Sequence, residues 1–148
     1  MKARYALLLV ALTGVSASKA VAQNQYQQQI QTQFNNWAPR FSQQGLTAQG
    51  SPMTGSLNND ATESILVNLT AGTRYALAGV CDQDCTDVDL QIFSSDGTKI
   101  GEDLATDDKP VVVFNAAYTG QYRVKVLMAT CNTNPCYYGV QVFAGGGK

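Results

Sequence analysis

The chain has 148 residues, 45% of them hydrophobic and 14% charged, with 10 Lys and Arg against 11 Asp and Glu, 4 Cys and no His. That length suits one domain. Without histidine, Ser-His-Asp and Cys-His catalysis and His-ligated zinc are excluded, and a net charge of −1 gives no basic patch for nucleic acid or an anionic membrane.

Residues 1–22 read as an export signal. Lys2 and Arg4 precede an apolar run from Tyr5 to Val15, which is too short to span a bilayer. Ala20-Val21-Ala22 then places small residues before a cleavage point at Gln23. Loss of Lys2, Arg4 and Lys19 leaves seven basic residues against eleven acidic ones. No later run is apolar enough to cross a membrane, so an exported product, periplasmic or extracellular, is expected.

Residues 23–44 are rich in Gln and nearly uncharged, and Tyr26, Ile30, Phe34, Trp37 and Phe41 recur at helical steps. An amphipathic helix is expected, ending near Asn36 to Trp37 because Pro39 follows. Its stripe either docks on the body of the protein or serves as an arm for a partner or for self-association.

From residue 45 to 144 the hydrophobic period becomes two. Ile65, Val67 and Leu69 alternate with polar residues, as do Val88, Leu90 and Ile92, and Tyr122, Val124, Val126 and Met128. Arg74 to Cys81, Thr98 to Asp103 and Tyr137 to Phe143 complete the pattern, while the run from Pro110 to Ala116 suggests a strand buried on both faces. Ser95-Asp96-Gly97 marks a hairpin. About seven strands, or nine with Leu46 to Gln49 and Met53 to Leu57, predict an all-β, antiparallel, jelly-roll-like sandwich with a short N-terminal helix. Residues 145–148 form a Gly-rich tail, expected to be flexible. Asn68-Leu69-Thr70 fits a glycosylation acceptor but closes a strand, which favours a turn role.

In an exported chain the cysteines read as disulfides rather than as a zinc site. Cys81 and Cys85 bracket one short loop, Cys131 and Cys136 another. Of the three possible pairings, the local one closes the shortest loops and is preferred.

Acid is concentrated. Nine of the acidic residues lie between Asp82 and Asp108, opposed there only by Lys99. Like charges at this density invite a hard cation. Asp82, Asp84, Asp87, Asp89, Asp107 and Asp108 are the candidate ligands for calcium, although the spacing is not that of an EF-hand. The alternative is a set of solvated turn residues. No arrangement of a glycosidase acid pair is recognisable, and the one Trp lies in the N-terminal segment. No enzymatic activity is expected.

Three segments carry a family resemblance: Leu69-Thr70-Ala71-Gly72-Thr73-Arg74-Tyr75, then Asp87 to Phe93 with Asp96-Gly97, and Ala117 to Val124. In that order they resemble the bacterial pre-peptidase C-terminal (PPC) domain. The chain is also similar to small exported bacterial proteins with the same CDxDCxDxDL and CxxxPCYYGV loops. The resemblance implies a small jelly-roll-like sandwich acting as a non-catalytic module, which in some relatives binds polymeric substrates or calcium. This chain departs from it in lacking a peptidase domain and in adding the two Cys loops. The expectation is an exported binding or accessory module for a protein or polysaccharide, with calcium a candidate cofactor. The alternative is a structural envelope protein that docks or self-associates through its Gln-rich segment. Oligomeric state is left open.

Overall fold

A computed structural model describes the backbone of residues 16–145, with helix side chains from Gln25 onward. Most of the expected export signal, residues 1–15, and the tail at 146–148 lie outside the described residues. One helix, α1 (Ser16–Gln43), precedes nine strands: β1 (Leu46–Ala48), β2 (Met53–Leu57), β3 (Thr62–Leu69), β4 (Arg74–Cys81), β5 (Cys85–Phe93), β6 (Lys99–Asp103), β7 (Val111–Asn115), β8 (Gly120–Cys131) and β9 (Cys136–Gly145). The strands form two sheets that pack face to face. The first has the order β1-β9-β4-β7, with β2 also pairing with β9, and the second has the order β3-β8-β5-β6. All pairings are antiparallel, so the fold is an all-β sandwich with an N-terminal helix.

Period-two alternation builds the main core. Leu77, Val140 and Val142 from one sheet meet Val88, Leu90, Ile92, Tyr122, Val124, Val126 and Met128 from the other. A second core lies on the opposite face of the first sheet, where Ile30, Phe34 and Phe41 of α1 cover Ala76, Ala78, Val80 and Phe143. The stripe is therefore spent inside the molecule, with Phe41 stacked on Phe143 at 4.0 Å between centroids. Small residues set how closely the helix approaches. A Cβ on Gly139 would overlap Ile30 and come within 2.9 Å of Phe34.

Three details differ from the sequence expectation. The helix runs through Pro39 to Gln43, past the expected stop at Trp37. Pro39 deprives only the Asn35 carbonyl of its helical donor, and Asn35 is exposed, so water can serve it. Burial of Phe41 holds the last turn in place until Gly45, at φ 73°, ends it. Burial on both faces belongs to the central strand β4 rather than to β7, which is an edge strand whose Val113 is 48% exposed. Gly145, expected to open the tail, pairs with both Leu46 and Arg74.

Candidate functional site

Both disulfides form locally, Cys81 with Cys85 and Cys131 with Cys136. Cys85 lies opposite Cys131 in the β5–β8 ladder, and the Asn132 amide donates to the Asp84 carbonyl at 2.8 Å. The two loops thus sit together at one end of the sandwich.

The six candidate aspartates do not meet there. Asp82 is 2% exposed and organises its own loop. Its Oδ2 accepts the Tyr137 amide at 2.9 Å and its Oδ1 accepts the Asp84 amide at 3.2 Å. Burial raises its pKa despite those two donors. Asp82 lines a polar groove of about 520 Å³ between the β4–β5 loop and α1, with Gln25, Gln28, Gln29 and Gln33 on the helix side. Gln33 joins the two walls of the groove by donating to the Cys81 carbonyl at 2.7 Å. Asp108 lines the same groove but is paired with Lys109 at 2.6 Å.

Asp87 and Asp89 turn elsewhere. Register shifts on either side of Asp87 in the β5–β8 ladder bend β5, and the β6–β7 connection folds back onto it through the Val88 amide, which donates to the Asp107 carbonyl at 3.0 Å. Asp87, Asp89 and Asp107 then share an acidic edge with Asp103, whose backbone lies opposite Leu90. Burial first, and then the charges of Asp87, Asp103, Asp107 and Glu102, raise the Asp89 pKa. Burial raises the Asp87 pKa as well, opposed by a hydrogen bond from the Asp107 backbone and reinforced by the Asp107 charge. Oδ1 of Asp87 is buried without a hydrogen-bond partner. The nearest lysines by sequence are engaged elsewhere, Lys99 with Glu102 and Lys109 with Asp108.

The single six-carboxylate calcium centre expected from the sequence is therefore not assembled. Among the described residues, no three His, Cys, Asp or Glu side chains gather closely enough to hold a metal ion. The physical reason is the short Cys81–Cys85 loop, which commits Asp82 to backbone amides before β5 carries Asp87 and Asp89 away. Asp103 belongs to the edge but was not among the six. The pairing of β6 with β5 would have supplied the signal, had the register been readable.

No family model matches the chain, and no curated protein matches it in sequence. Solved structures resemble it in fold. A periplasmic inhibitor of g-type lysozyme from Aeromonas hydrophila superposes with a TM-score of 0.50 at 13% identity, over 66% of this chain and 87% of the other. The pre-peptidase C-terminal domain of a collagenase from Bacillus anthracis does so with a TM-score of 0.49 at 16% identity, over 62% of this chain and 87% of that one. At such identities a likeness concerns the fold alone. No helix among the described residues is long and apolar enough to cross a membrane.

Proposed function

We propose that the protein is an exported, non-catalytic binding module whose acidic edge, Asp87, Asp89, Asp103 and Asp107, receives Lys or Arg side chains of a protein partner. The observation that carries this reading is the buried, unpartnered Oδ1 of Asp87 amid like charges. An unpaired buried acceptor costs the free protein about 1–3 kcal/mol, the neighbouring carboxylates repel one another, and a cationic partner relieves that repulsion on binding. Two short disulfides fit an oxidising compartment. The neighbour from Aeromonas hydrophila is a lysozyme inhibitor, so a protein partner has a precedent on this fold.

Calorimetric titration with a g-type lysozyme and with a mixed Lys/Arg peptide tests the reading. Binding is expected to weaken as salt rises, because salt screens the long-range attraction between the acidic edge and a cationic probe, and to fall at least about tenfold in the Asp87→Asn/Asp89→Asn variant, equivalent to about 1.4 kcal/mol. No binding to either probe would sink it. A melting temperature raised by millimolar calcium and lowered by chelator would instead assign the edge to the metal.

A further inference from the structure

β3 ends its sheet, and among the described residues no strand pairs with its outer side. At the other end of that sheet, β6 is covered by β7. There Oδ2 of Asp103 accepts the Val111 amide at 2.9 Å, and a Cβ on Gly101 would come within 2.8 Å of Val112. β3 has no such cover, and of the usual devices that blunt an edge it carries only one, a single inward-drawn charge. Its sequence, TESILVNL, contains no Pro or Lys, and its pairing with β8 runs without a bulge from Thr62 to Leu69. Its one charge, Glu63, is drawn towards the other sheet by the Tyr138 hydroxyl, which donates to it at 2.5 Å.

The phase of the ladder shows what the open side presents. The Met128 amide donates to the Ala61 carbonyl at 3.0 Å, so the odd-numbered residues of β3 bond to β8. The N–H and C=O groups of Thr62, Ser64, Leu66 and Asn68 therefore point outward. These four are exposed, and Leu66, at 58%, is the most exposed large hydrophobic residue described.

We propose that β3 pairs antiparallel with β3 of a second copy of this chain, with Leu66 on the two-fold axis. This register is self-complementary, as an isologous contact requires. Leu66 meets its own copy, Ser64 meets Asn68, and Ile65 meets Val67. Glu63 faces Leu69, so the strand's one charge never opposes itself. The outward-facing backbone groups of Ser64, Leu66 and Asn68 all find partners, and the four-stranded sheet becomes continuous across both copies. From Ser64 to Asn68 a second copy supplies a match of apolar to apolar and hydroxyl to amide. The surface is separate from the acidic edge, so neither proposal depends on the other.

Sedimentation of the purified protein over a concentration series, with amide exchange followed by NMR, tests the pairing. A mass near twice that of the chain is expected, with slow exchange at Ser64, Leu66 and Asn68. Leu66→Lys should give a folded monomer with fast exchange at those amides and a melting temperature that no longer depends on protein concentration, because residue 66 is solvent-facing within one copy. Val113→Lys, at an exposed position in the other sheet, should leave the dimer intact. A monomeric wild type overturns the proposal and would leave an extended segment of another protein as the occupant. It is equally overturned by a dimer that survives Leu66→Lys or that leaves the Leu66 amide in fast exchange.

Discussion

At the residue scale, the aspartates fall into two kinds that their spacing does not distinguish. Asp82 is satisfied by two backbone amides, so its removal strands the Tyr137 and Asp84 donors. Asp82→Ala should cost about 1–3 kcal/mol in chemical denaturation, and Asp82→Asn, which keeps an oxygen acceptor, should cost less. Asp87 and Asp89 are held among like charges, and burial raises both pKa values. A carboxyl whose folded pKa lies above its unfolded value stays protonated in the folded protein at a pH where the unfolded chain has ionised. Its contribution is full below the ordinary aspartate pKa and is lost as pH rises through the raised one. Asp87→Asn/Asp89→Asn should therefore be more stable than wild type at neutral pH, by up to about 1 kcal/mol. The gap should close as pH falls into the carboxylate range. Denaturant midpoints for both proteins measured across that range check the sign, and a gap that widens on acidification contradicts it.

At the element scale, the docked helix explains why the chain carries two apolar periods. Ala76, Ala78 and Val80 face α1 while Tyr75 and Leu77 face the other sheet, so β4 is buried on both sides although the face under α1 is mostly small. Gly139 is the matching concession in β9. Gly139→Ala should push Ile30 and Phe34 outward and cost about 1–3 kcal/mol as overpacking. Rising tryptophan exposure at Trp37, read by fluorescence, would locate the damage at α1. Alternation at Ile65–Leu69, Val88–Ile92 and Tyr122–Met128 made these strands legible, because half-buried strands write their inward face into the sequence. The helical stripe was equally legible. Its docking partner was not, since beside Val80 and Phe143 the surface receiving it is built from Ala76, Ala78 and Gly139, whose small size reads as neutrality. The run at Val111–Phe114 misled for the opposite reason. Val113 is apolar yet lies at an edge, and an exposed valine carries no mark of its position. The acidic edge was half legible. Charge density pointed to the stretch, but which carboxylates converge depends on the bulged register of β5 and the fold-back at Asp107.

At the scale of the whole molecule, helix lies on sheet on sheet, and the two sheets are tied at one end by two short disulfides that the sequence distance alone favoured. Each loop closes only a few residues, so either bond contributes about 2 kcal/mol in the chain-entropy picture. The loops are not independent. Asp84 and Asn132 join them through a backbone hydrogen bond, Cys85 pairs with Cys131, and the Asn59 side chain accepts the Cys131 amide at 2.7 Å. Replacing Cys81 and Cys85 with Ser frees the strand end that holds Asn132, and replacing Cys131 and Cys136 frees the end that holds Asp84. Once one loop has loosened, the other has less native structure to anchor. The four-serine variant should therefore depart from the sum of the two pairwise losses by at least about 0.5 kcal/mol, the coupling expected of groups in contact. Urea unfolding of the two double variants and the quadruple variant measures this directly, and strict additivity would mean that the loops act as separate clasps.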